Sequence, residues 1–111
     1  MTLEDTRRAI QVAHDTFKTF KKTTPVQRQG MLAKLHTLMQ ENLDDIARLI
    51  VWENGKSWTD AKGEAAYAAS YVNWFEGEAL RGYGEIVPCS LPGTRNFVIK
   101  QPIGVCALLV P

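Results

Sequence analysis

Six consecutive residues near the end of this chain, Val105-Cys106-Ala107-Leu108-Leu109-Val110, carry no polar side chain, and Pro111 follows them. A strand with one face in water alternates apolar and polar residues. A run without alternation is typical of a strand covered on both faces, as in a parallel sheet between helices. Burying one large aliphatic side chain is worth about 1.5–3 kcal/mol, so three or four left wet forfeit on the order of 5–10 kcal/mol. The net stability of a whole small domain is about 5–15 kcal/mol. No residue after Pro111 is present in the sequence to cover the run or pair with it. The strand is therefore expected to dock on another chain or to belong to a larger polypeptide. A helical core with the strand folded back over it is a third, less natural arrangement.

Everything before Gly82 reads as helix. Thr2 and Asp5 have the Thr-x-x-Asp spacing of a helix start, and Ile10, Ala13, Phe17 and Phe20 recur at helical spacing, which predicts a helix over residues 3–21. Thr24, Pro25 and Gln27 are an N-cap, a first-turn proline and a capping-box partner for a second helix with Met31, Leu32, Leu35, Leu38 and Met39 on its core face. A third helix starts at Asn42, gains dipole complement from Asp44 and Asp45, points Leu43, Ile46, Ala47 and Ile50 inward, and stops at Asn54-Gly55. The fourth starts at Ser57 with Asp60 as capping partner and runs to about residue 81. Ala61, Ala65, Ala66, Ala68 and Ala69 leave its first half slim enough for another backbone to approach closely.

After Gly82 the helical period is lost. Ile86 and Val87 before Pro88 read as a short strand, Leu91-Pro92-Gly93-Thr94 as a type II turn, and residues 96–101 as a half-exposed strand able to pair with residues 85–88. The domain reading is a helical region over residues 1–84, a strand pair over 85–104, and the apolar strand from 105.

Charge excludes several function classes. Residues 1–54 hold 8 basic and 7 acidic side chains, and residues 55–111 hold 5 of each. Neither half has the clustered cations that a nucleic acid or an anionic membrane surface requires. The longest apolar run is far below the roughly 20 residues of a membrane span. The acidic start, Met1-Thr2-Leu3-Glu4-Asp5, does not resemble a secretory signal. Cys89 and Cys106 are too few for a disulfide framework and read as free thiols in a reducing compartment.

No complete site emerges from spacing alone. Gly82-Tyr83-Gly84 lacks the third glycine of a dinucleotide loop and follows a helix, so a helix stop and turn is the better reading. His14 and His36 lack metal-ligand spacing to each other or to either cysteine. Glu76 and Glu78, two apart on a helix, point to different sides.

Longer stretches are more specific. Trp52-Glu53-Asn54-Gly55-Lys56, Gly63-Glu64-Ala65-Ala66-Tyr67-Ala68-Ala69-Ser70, Trp74-Phe75-Glu76-Gly77-Glu78-Ala79-Leu80-Arg81-Gly82-Tyr83-Gly84, Val98-Ile99-Lys100-Gln101-Pro102-Ile103-Gly104-Val105 and Leu108-Leu109-Val110-Pro111 follow one another in order. Together they resemble the N-terminal segment of the NAD(P)-dependent aldehyde dehydrogenases. The succinate-semialdehyde branch is the most similar, through the Trp74-Phe75 and Tyr83-Gly84 stretches. The resemblance implies an α+β fragment: four N-terminal helices, a short strand pair from the oligomerisation region, and one apolar strand, residues 105–110, that in the family starts a Rossmann-type parallel sheet.

In that family a thiolate attacks the aldehyde, hydride passes to the nicotinamide, and water opens the thioester. The family continues with Pro-Trp-Asn-Phe-Pro, of which Pro111 is the first residue. The oxyanion asparagine, general-base glutamate, nucleophilic cysteine and pyrophosphate glycines lie further on. The 111 residues alone are thus expected to be inactive and to hold NAD or NADP only weakly. Cys89, in the strand-pair loop, and Cys106, inside the apolar strand, do not match the nucleophile.

By resemblance, Leu109, Val110 and Pro111 match the strand end beside the cofactor's adenosine half. Glu53 matches a position that in some members lies near a monovalent cation, with a solvent-facing helix-end carboxylate as the alternative. Tyr67 and Tyr71 fall on the helix bordering the substrate tunnel, with core packing as the alternative. The expected partners are a second copy or a full-length homologue, through residues 85–110, and a small aldehyde in the complete enzyme. The expected location is the cytoplasm, or the mitochondrial matrix for a complete eukaryotic form. An independent interaction module and an ancestrally related helical binding domain are the competing readings.

Overall fold

A computed structural model describes residues 2–109. In chain order they form helices α1 (Leu3–Phe20), α2 (Pro25–Glu41), α3 (Leu43–Asn54) and α4 (Trp58–Glu78), then strands β1 (Glu85–Pro88) and β2 (Arg95–Val98). They fall into two compact units, one made of residues 24–82 and one made of the stretches before and after it.

In the unit of residues 24–82 the helix ends form where local chemistry satisfies the backbone. The Thr24 hydroxyl accepts the Gln27 backbone N–H at 3.2 Å, and the Gln27 side-chain oxygen Oε1 accepts the Thr24 N–H at 2.8 Å. This reciprocal pair satisfies two donors that the first turn of α2 leaves without helical partners. Asn42 caps the other way. Its side chain makes no bond to the start of α3 but donates to the Leu38 carbonyl at 2.8 Å, closing α2. Gly55 ends α3 at φ +67°, a left-handed conformation that glycine adopts without penalty, and its N–H reaches the Val51 carbonyl. At the start of α4 the Ser57 hydroxyl accepts the Asp60 N–H and donates to the Asp60 carboxylate. The helix stops at Glu78, short of the expected residue 81, because Leu80 and Arg81 donate to Gly77 and Glu78 in a tighter turn.

The core of this unit is built on methyl groups. Ala61, Ala65 and Ala69 recur every fourth residue of α4 and are fully buried, as is Ala47 of α3. Leu43, Ile46, Ile50 and Val51 pack around Ala47, Ala61 and Ala65. Helix α4 packs against both α2 and α3. The close approach expected from the alanines is met at Ala61, Ala65 and Ala69, while Ala66 and Ala68 face solvent. The expected α2 face is half right. Leu32 and Met39 are half-buried together with His36, but Met31, Leu35 and Leu38 are exposed. Apolar residues lie on more than one side of α2, and periodicity alone does not choose among them. Two ion pairs tie α4 down. Lys62 Nζ lies 2.9 Å from Asp44 Oδ1 and over the Trp58 ring, and Lys56 pairs with Glu64. All four charged groups are solvent-exposed, so water screens both pairs and each contributes little to stability.

In the other unit, α1 opens on a capping box between Thr2 and Asp5. Strands β1 and β2 pair antiparallel, with Glu85 opposite Val98, Ile86 opposite Phe97, Val87 opposite Asn96 and Pro88 opposite Arg95. Between them the Thr94 N–H reaches the Leu91 carbonyl and Gly93 takes φ +79°, the type II turn expected from Leu91-Pro92-Gly93-Thr94. The pairing is thus the expected hairpin, with its second strand ending at Val98 rather than at residue 101. Further on, Gly104 (φ +137°), Val105 and Cys106 lie against Ala13, Thr16, Phe17 and Phe20 of α1 around an open cleft of about 290 Å³.

The expected strand over residues 105–110 is not formed among the described residues. Residues 99–109 have no regular structure, and Leu108 and Leu109 stand almost wholly in solvent. A strand exists only by bonding a neighbour's backbone, and the one sheet among the described residues is the β1–β2 pair. Cys106 is therefore not inside a strand, and the start of a parallel sheet is not seen. No helix among the described residues is long and apolar enough to cross a membrane.

Candidate functional site

The most developed side-chain cluster lies on α4. Tyr67 and Tyr71, four residues apart, share a face of the helix. Their rings meet edge to face, with centroids 4.8 Å apart and planes at 84°. Their hydroxyls lie 2.6 Å apart in a hydrogen bond. The hydrogen bond to Tyr67, then that neighbour's charge, raises the Tyr71 phenol above the ordinary tyrosine value. Ser70, between them, donates to the Tyr67 carbonyl at 2.7 Å. With Trp74 and Phe75 these residues line an open groove of about 380 Å³. Tyr67 is 61% exposed and Tyr71 49%, so neither belongs to the packed core of residues 24–82. The groove offers aromatic walls and a hydroxyl pair able both to donate and to accept.

The other sequence-derived residues do not join this cluster. Glu53 is exposed in the last turn of α3. Among the described residues no group of three or more His, Cys, Asp or Glu side chains is arranged to hold a metal ion. Leu109 is 99% exposed on irregular backbone. Val110 and Pro111 lie outside the described residues. The described strands both follow the helices, so no glycine-rich turn leads from a strand into a helix to cradle a pyrophosphate.

Sequence reasoning passed over the environment of Cys89. This half-buried thiol follows β1. The Leu91 N–H holds it below the ordinary thiol value, aided by the Thr94 and Asn96 side chains and the Ser90 N–H. The signal was present in Cys89-Ser90-Leu91-Pro92-Gly93-Thr94-Arg95-Asn96, since a tight turn folds its donors back toward its first residue. Cys106, exposed and also free, points its sulfur at the Gly104 carbonyl, 3.8 Å away.

The aldehyde dehydrogenase family profile matches residues 1–111, the entire chain. The chain belongs to the aldehyde dehydrogenase family. The chain is 50% identical over 103 residues to the succinate-semialdehyde dehydrogenase [NADP(+)] of Saccharomyces cerevisiae, a match covering 93% of this chain and 21% of the yeast protein. It is 46% identical over 111 residues to the glutarate-semialdehyde dehydrogenase of Pseudomonas putida, covering 100% of this chain and 23% of that protein. Among solved structures, the succinate-semialdehyde dehydrogenase of Burkholderia pseudomallei superposes with a TM-score of 0.84 at 38% identity, over 93% of this chain and 21% of that one. The four helices and the hairpin are thus a recurrent part of this family's fold. The chain spans about a fifth of the length of the curated relatives it matches.

Proposed function

We propose that these residues are the N-terminal segment of an NAD(P)-dependent semialdehyde dehydrogenase, an enzyme that oxidises the aldehyde end of a short carboxylate-bearing chain to an acid. The reading rests above all on the 50% identity to the yeast succinate-semialdehyde enzyme across 93% of this chain. Succinate and glutarate semialdehydes, for which two of the relatives are named, both carry a carboxylate at the far end, which supports this substrate class. Cofactor, nucleophile and general base are assigned to polypeptide beyond these residues, and the isolated 111-residue chain is inactive. Leu109, Val110 and Pro111 are assigned to the edge of the adenosine pocket in the complete enzyme, Tyr67 and Tyr71 to the border of its substrate tunnel, and Glu53 to a monovalent-cation position.

The test mixes the purified chain with succinic semialdehyde and either NAD or NADP and follows reduced nicotinamide by absorbance. No signal is expected, and sustained turnover overturns the inactivity assignment. The gene read past codon 111 is expected to continue into Trp-Asn-Phe-Pro; an immediate stop overturns the assignment as a segment of a larger enzyme.

A second reading is favoured by the exposure of the hairpin. Ile86, its cross-strand partner Phe97, and Ile99 are each about two-thirds or more exposed. In this reading residues 85–110 pair with a second copy or a full-length relative. Light scattering would then give a dimer or larger species, and a monomer at high concentration would exclude it. Both readings place the protein in a reducing compartment, the cytoplasm or the mitochondrial matrix; the related rat enzyme is named as mitochondrial.

A further inference from the structure

We draw no further inference here: the strongest candidate, the aromatic groove on α4 lined by Tyr67, Ser70, Tyr71, Trp74 and Phe75, is an unpartnered helix face, and nothing in the structure shows what covers it.

Discussion

A methyl group placed on Gly84 would come within 2.3 Å of the Val98 carbonyl oxygen. The obstacle is backbone of the paired strand, which cannot swing aside as a side chain could. Gly84→Ala is therefore expected to push β1 from β2 and cost about 1–3 kcal/mol, the range for overpacking. Amide hydrogen exchange checks it. Protection should fall across residues 85–88 and 95–98 and stay unchanged in α2–α4. Gly82→Ala, where an added Cβ meets nothing within 4 Å, is the matched control.

The buried alanine row makes a similar prediction for the helical unit. Ala65 is fully buried against its neighbours, while Ala66 faces water. Ala65→Leu is expected to destabilise by about 1–3 kcal/mol through overpacking. Ala66→Leu should stay within about 0.5 kcal/mol of the parent, as surface changes do. Far-UV circular dichroism during urea titration distinguishes the two, and equal midpoints would contradict the packing described above.

Asp44 gives a pH dependence with a definite sign. The hydrogen bond from Lys62, then the lysine's charge, holds its carboxyl below the ordinary aspartate value. A folded pKa below the unfolded one contributes stability that is present above the unfolded pKa, about 3.9. That contribution is lost as pH falls through the depressed folded value. In Lys62→Met the Asp44 titration should move up toward the ordinary value, and its share of the acid dependence should vanish. Carbon NMR of the Asp44 carboxyl measures the shift directly.

Cys89 should form thiolate at a lower pH than an ordinary cysteine, because the Leu91 N–H and its helpers stabilise the anion. The pH profile of its alkylation by iodoacetamide, read by peptide mass spectrometry, should have a midpoint below about 8.5, the value of a free cysteine. Asn96→Ala and Thr94→Val each remove one donor and should move the midpoint up. No movement in either would show that the turn backbone alone holds the anion.

The helix starts and the hairpin turn were legible because they are local. Thr24-Pro25-x-Gln27, Ser57-x-x-Asp60 and Leu91-Pro92-Gly93-Thr94 each satisfy or bend backbone within four residues, and the structure uses all three. Which faces are buried was less legible. Met31, Leu35 and Leu38 are as apolar as Leu32 and Met39, and only the position of α4 separates them. The apolar run from Val105 forms no strand among the described residues for a related reason. Composition records that a segment is suited to burial, but the paired backbone that makes it a strand must come from elsewhere. The tyrosine cluster was half legible. The resemblance put Tyr67 and Tyr71 on one helix, but gave neither their hydroxyl contact nor the bond from Ser70 to the Tyr67 carbonyl.

The alanine row on α4 also bears on the entropy of assembly. Alanine has no side-chain rotamers to freeze, so closing the α2–α3–α4 seam carries almost no side-chain ordering cost at its tightest points. Its cohesion comes from proximity rather than bulk. The helix that presents Tyr67, Tyr71, Trp74 and Phe75 is thus a stiff mounting whose placement tolerates little growth on its inner side.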